Sequence, residues 1–72
     1  MDQLEIGFAV FSVDDRRMGQ VSSIRDCCFE IQTRRGKAIS LLPYVIFNIA
    51  DGRISLVCNE GEIDRYACSN HP

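Results

Sequence analysis

"LLPYVIFNIADGRISLVC", residues 41–58, is the stretch on which the fold turns. It holds two apolar runs broken at two points of different kind. Pro43 has no backbone N–H and cannot donate to a strand ladder, so the run "AISLL" must stop there. Asp51-Gly52 is a strong two-residue hairpin signal, because such turns need residues that tolerate positive φ. "RISLVC" is the return strand, with Ile54, Leu56 and Cys58 on one face by the two-residue period. The segment between, "YVIFNIA", is apolar on both faces and shows no single period. We read it as a turn just after Pro43 and then a strand to Ala50, which continues a simple meander of alternating strand directions.

Toward the N-terminus the pattern stays strand-like. "FEIQT" alternates cleanly, with Phe29, Ile31 and Thr33 on one face, and "RRGK" is a loop with Gly36 available for positive φ. In "QVSSIR" the apolar residues Val21 and Ile24 are three apart. A bulge at Ser22 and Ser23 would return both to the interior. "IGFAVFSV" is rich in β-branched and aromatic residues, with Ile6, Phe8 and Val10 on one face. The charged segment from Asp14 to Gly19 reads as the connection between these two strands. Toward the C-terminus the period changes. Asn59 and Glu62 have the spacing of a capping box, and Ile63, Tyr66 and Ala67 form one helical stripe.

The fold class expected is therefore all-β: a small closed or partly open antiparallel β-barrel of about six short strands, with a short C-terminal helix. Closure would bury one shared interior and remove exposed edges. Residues 1–72 read as a single domain, with residues 69–72 expected to fray.

Composition fits this. Apolar residues make up 46% and charged residues 25%, the balance of a globular chain. The net charge of −2 gives no global drive toward nucleic acid or an anionic membrane. No run approaches the roughly 20 apolar residues that span a bilayer. "MDQLE" lacks a basic leader, so no signal peptide and no membrane insertion are expected, and the expected compartment is the cytoplasm. The four cysteines are then expected as reduced thiols.

The order "G..V.S.D.R..G.V..I" from Gly7 to Ile24, followed by "LP..I..I.DGRI.L" from Leu42 to Leu56, resembles the PRC-barrel domain. The match spans most of the chain and looks most like the small stand-alone bacterial members. The resemblance implies a compact barrel that works as an interaction module, with no catalytic residues to carry over. The matching positions, among them Gly7, Val10, Asp14, Gly19, Val21, Pro43, Ile46, Asp51 and Gly52, would be structural. One departure stands out: the first turn of the family reads Asp-Gly-Arg or similar, and here it is Asp14-Asp15-Arg16. Asp tolerates the left-handed geometry at some cost against Gly.

Candidate chemistry is sparse. Cys27 and Cys28 are adjacent and would point to opposite faces of a strand, which is not zinc-ligand spacing; Cys68 and His71 make only half of a pair. Glu60, Glu62 and Asp64 fit the charge bias of a helix N-terminus better than a catalytic dyad. Gly36-Lys37 lacks the rest of a P-loop. No enzyme activity, cofactor, metal or small-molecule substrate is inferred, and a thiol-based sensor is the weaker alternative.

Two features suggest partners. In a meander, the loops after the first and third strands share one end, which would collect Arg16, Arg17, Arg34, Arg35 and Lys37, with the Asp51-Gly52 turn and Arg53 beside them. The opposite end would collect Asp2, Glu5, Asp26, Glu60, Glu62 and Asp64. Arginine binds carboxylate and phosphate in fork geometry, so the basic end suits an acidic protein partner. An RNA backbone is the alternative, weakened because no aromatics interleave to stack bases. The second feature is apolar excess. Some of Phe11, Val13, Leu42, Phe47 and Val57 must face outward, as at a homodimer or partner interface. The expected function is a non-catalytic protein-interaction or adaptor module that uses Phe11, Val57 and the basic loop end. An RNA- or ribosome-associated accessory factor is the alternative.

Overall fold

The structure is a computed structural model and describes residues 4–67. Six strands form one sheet: β1 (Ala9–Phe11), β2 (Arg17–Ile24), β3 (Phe29–Thr33), β4 (Ala38–Leu41), β5 (Ile46–Ala50) and β6 (Arg53–Leu56). A 3₁₀ turn at Pro43–Val45 separates β4 from β5. A second, at Glu60–Glu62, leads into the short helix α1 (Ile63–Tyr66). The expectation for residues 69–72 lies outside the described residues.

The expected all-β character and strand number hold, but the sheet is mixed rather than antiparallel and is not closed. Its order is β4-β3-β2-β1-β6-β5, and β6 runs parallel to β1, with Ala9 beside Arg53 and Phe11 beside Ser55. The reason lies in the segment that opened the sequence reading. Val45 N–H bonds to the Leu42 carbonyl at 3.1 Å, and Ile46 N–H closes onto Pro43. A single 3₁₀ turn of this kind does not fold β5 back against β4. It carries the chain from one edge strand of the sheet to the other, so that among the described residues β5 pairs only with β6. The hairpin itself forms as read: Asp51 and Gly52 have φ of 56° and 75°, the two positive values of a type I′ turn.

The first connection is shorter than the sequence suggested. Ser12 N–H bonds to the Arg16 carbonyl at 2.9 Å and Asp15 N–H to the Ser12 carbonyl at 2.9 Å. Asp15, at φ 67°, occupies the left-handed position where a glycine was missed. The buried Ser12 hydroxyl donates to the Asp14 carboxylate and accepts from Arg16 N–H, so no polar group is stranded. The Ser12 hydrogen bond is the main reason the Asp14 carboxyl titrates below its ordinary range.

Gly19, expected in this connection, stands instead inside β2. A Cβ built there would lie 2.0 Å from the Gln32 carbonyl oxygen, so the glycine is required by the close approach of β3. Bulges bend β2 where its pairing skips a residue: one between Gly19 and Arg17 opposite β1, the other at Ser22 opposite β3. The second was expected, but it does not bring Ile24 inside, which stays 41% exposed. β1 is also shorter than "IGFAVFSV". Gly7 takes φ 99° and Ile6 points to solvent.

Val10, Met18, Val21, Phe29, Ile31, Leu41, Val45, Ile54, Leu56 and Cys58 are fully buried in one cluster. Ile63 closes that cluster from α1. The expected capping box starts the 3₁₀ turn that leads into this helix: Asn59 Oδ1 accepts from Glu62 N–H at 3.0 Å, and the Glu62 carboxylate accepts from Asn59 N–H at 3.3 Å. Tyr66 then meets Tyr44 edge-on at 6.5 Å between ring centres, and Ala67 bridges to Leu41 at the edge of β4. Among the described residues, no helix is long and apolar enough to cross a membrane.

Candidate functional site

The direction of β6 rearranges the expected charge pattern. Because β6 is parallel to β1, the turn before it lies beside the start of β1, where Ala9 N–H bonds to the Gly52 carbonyl at 3.0 Å. The segment after it lies beside the end of β1, where Val13 N–H bonds to the Cys58 carbonyl at 2.9 Å. The Asp51-Gly52 turn is therefore not at the arginine-rich end, and the acidic start of the C-terminal cap is. Arg17, Arg34, Arg35 and Glu60 line one groove. Lys37 and Arg35 border the next, together with Glu60, Asp64 and Ile63. Glu60 and Asp64 sit among the basic residues rather than opposite them, so this end is mixed in charge.

Within it, Arg17 and Arg34 also flank an open groove of about 630 Å³ with Gly19, Gln20, Gln32, Thr33 and Gly36. Arg34 N–H bonds to the Met18 carbonyl at 3.1 Å, which ties the second loop to the first strand of the groove. Arg16 is held apart, in an ion pair with Asp14 at 3.5 Å. The groove glutamines were missed. Their signal was present: Gln20 and Gln32 are cross-strand partners at outward positions of β2 and β3.

The apolar candidates divide differently. Along β1, β6 and the residues just after each, Val10, Leu56 and Cys58 point inward and are buried. Phe11, Val13, Ser55 and Val57 alternate with them and face outward. Val13 is 60% exposed and Val57 42%. Phe11 is half-covered because the Arg53 guanidinium lies 4.0 Å from its ring centre and reaches on to Asp15 at 3.5 Å. A cation over an exposed ring contributes about 0.5–1 kcal/mol. Arg53 was placed with the basic loops by the sequence; it is a cover for Phe11. Phe47, at the bulge of β5, is 76% exposed, whereas Leu42 is half-buried. The outer face of β2, β3 and β4 offers a contrast: Gln20, Glu30, Gln32 and Ser40, with the small Ala38, occupy its outward positions.

Of the cysteines, Cys27 is exposed and Cys28 and Cys58 are buried, all as free thiols. Burial, with Glu62 nearby, pushes the Cys58 thiol up. Among the described residues no three His, Cys, Asp or Glu side chains gather as a metal site; Cys68 and His71 lie outside them.

No protein-family model matches the chain, and neither a curated protein nor a solved structure is significantly similar to it.

Proposed function

We propose that this protein is a non-catalytic interaction module of PRC-barrel type that acts in the cytoplasm, docking a protein partner on the outer face of β1 and β6. The observation that carries the reading is the asymmetry of the sheet's outer surface. One half is mostly polar, as a solvated sheet face is, with Gln20, Glu30, Gln32 and Ser40 beside the small Ala38 and a part-exposed Ile24 at its margin. The other half presents Val13 and Val57, with Phe11 beneath a displaceable arginine. A buried apolar centre with an arginine rim is the usual anatomy of a protein interface. The mixed-charge end beside it, with Arg17, Arg34, Arg35 and Glu60, orients a partner of complementary pattern rather than attracting any polyanion.

Cross-linking in the native host tests this. Wild type should capture a partner that Val13→Glu with Val57→Glu loses, while the doubly substituted protein still melts cooperatively. Retention of the same partners by the folded variant would end the reading.

A second reading, an RNA- or ribosome-associated accessory factor, is favoured by one observation: Arg17, Arg34 and Arg35 line a common groove. It predicts RNA affinity that falls steeply with salt. Arg34→Glu with Arg35→Glu should abolish such binding, whereas the docking reading predicts no salt-dependent RNA affinity to abolish.

A further inference from the structure

Three hollows join end to end, from the outer face of β2 and β3, past the loop between β3 and β4, to the C-terminal cap. The first, of about 630 Å³, holds Gln20 and Gln32 and is flanked by Arg17 and Arg34. The second, of about 370 Å³, shares both arginines and adds Arg35 and Glu60. The third, of about 180 Å³, shares Arg35 and Glu60 and reaches the apolar side chains of Met18, Ile39 and Ile63, with Asp64 beside them. Their shared residues make them one groove. The loop that carries Arg34 and Arg35 is fixed by its own backbone. Thr33 N–H bonds to the Lys37 carbonyl at 2.7 Å, Gly36 N–H to the Thr33 carbonyl at 2.9 Å and Lys37 N–H to Thr33 Oγ1 at 3.1 Å. Arg34 N–H bonds to the Met18 carbonyl, which ties the loop to β2. Among the described residues the ion pairs join Arg16 to Asp14 and Arg53 to Asp15, and Arg17, Arg34 and Arg35 enter none.

We propose that this groove binds a linear acidic peptide. The peptide's carboxylates sit on Arg17, Arg34 and Arg35, its backbone runs along Gln20 and Gln32, and one apolar side chain enters the third hollow. Three observations select a peptide. Exposed arginines on a preorganised loop recognise acidic motifs through forked hydrogen bonds. Gln20 and Gln32 face each other across the strands and are exposed, and their amides both donate and accept, as a peptide backbone requires. Glu60 and Asp64 put negative charge in the path of a repeating polyanion, and among the groove's described residues no aromatic side chain is present to stack a base. The proposal names the charged segment of the partner that docks on β1 and β6, and to that extent rests on the docking reading.

Fluorescence anisotropy of a fluorescein-labelled peptide, GGEDELG, tests it at about 0.15 M salt, where charges beyond about 8 Å are screened. Wild type should bind with Kd below about 1 mM. Arg17→Gln and Arg34→Gln should each weaken binding about tenfold, the loss of a charged hydrogen bond. Arg25→Gln makes the same charge change just past the other end of β2 and should leave the affinity unchanged. All three positions are exposed, and thermal melts should show the variants folded. Replacing the peptide's leucine by glycine should weaken binding severalfold. No saturable binding, an equal loss in Arg25→Gln, or tighter binding of a single-stranded RNA of equal charge overturns the proposal. Val13→Glu with Val57→Glu should keep peptide binding. Partner capture that needs Val13 and Val57, in a protein that binds no acidic peptide, would refute the groove and leave the docking reading standing. Peptide binding that follows the three arginine variants as stated, with capture indifferent to Val13 and Val57, would support the groove and end the docking face.

Discussion

Gly19→Ala isolates one atom and asks what it costs. Gly19 is buried in β2, between Val10 of β1 and Thr33 of β3. Its φ is not positive, so alanine meets no left-handed penalty. The whole effect comes from contact. The new Cβ would lie 2.0 Å from the Gln32 carbonyl oxygen and 2.9 Å from both the Gln32 carbonyl carbon and the Thr33 Cα. All three are backbone atoms, so no side chain can swing aside. Ordinary contact begins near 3.4 Å, so β2 and β3 must part by more than an ångström. Overpacking of this sort costs about 1–3 kcal/mol. A ladder hydrogen bond stretched beyond reach adds about 0.5–1.5 kcal/mol. We expect a loss of about 3 kcal/mol, from a domain whose total at this size is roughly 4–11 kcal/mol. The melting temperature should fall by about 12–24 °C. Two controls calibrate the reading. Gly36 has φ 86° and open space around it, so Gly36→Ala should cost about 1–2 kcal/mol through backbone strain alone. Gly61 has neither constraint, and Gly61→Ala should be neutral or slightly stabilising. Calorimetry or chemical denaturation of the three variants gives the order. If Gly19→Ala melts at or above Gly36→Ala, the close-approach argument is wrong.

Four further outcomes follow from particular contacts. Asp15→Gly should raise stability by about 0.5–1 kcal/mol, because relief at φ 67° outweighs an exposed ion pair with Arg53; denaturant midpoints measure it, and a lower midpoint would contradict the strain argument. Asn59→Ala removes the hydrogen bond to Glu62 N–H and should cost about 1 kcal/mol, read from the same melts, and amide exchange should speed up in α1. Cys58 has a folded-state pKa above its unfolded value, so the proton is held more tightly in the native state. Its contribution is present below about pH 9 and is lost as pH rises beyond it, so alkaline melts of wild type should fall more steeply than those of Cys58→Ala. Alkylation followed by peptide mapping should label Cys27 before Cys28 or Cys58.

Much of the fold was legible because local rules govern it. β3 falls where the alternation of "FEIQT" put it, the Asp51-Gly52 turn where its φ preference put it, and the capping box at Asn59 and Glu62. Each of these is decided by neighbours a few residues away. The direction of β5 is not. Pro43 announces a break, but whether the chain reverses there or crosses to the far edge depends on which edge has room for a hairpin. That is a property of the assembled sheet. This single choice set the sheet type, the place of the Asp51-Gly52 turn, and the side on which Glu60 and Asp64 fall. Gly19 was misread for a related reason. Its neighbours in sequence resemble a turn, and the atom that requires it belongs to Gln32 on another strand. The site was legible as a list of outward residues, Val13 and Val57 among them. The Arg53 cover on Phe11 joins residues on two strands that only the parallel pairing brings together.

The turn at Pro43–Val45 also divides the molecule into two pieces with different folding tasks. The first four strands form a meander whose partners are near in sequence. The β5–β6 hairpin is local too, but it completes the interior only by zipping against β1, with partners 44 positions apart in the chain. Closing so long a loop is the slowest kind of step for a small domain. Until it happens, Val10 and Ile54 lack each other, and β1 is an open edge. Folding should therefore be limited by the arrival of the hairpin, and a chain severed between β4 and β5 should supply two fragments able to recombine.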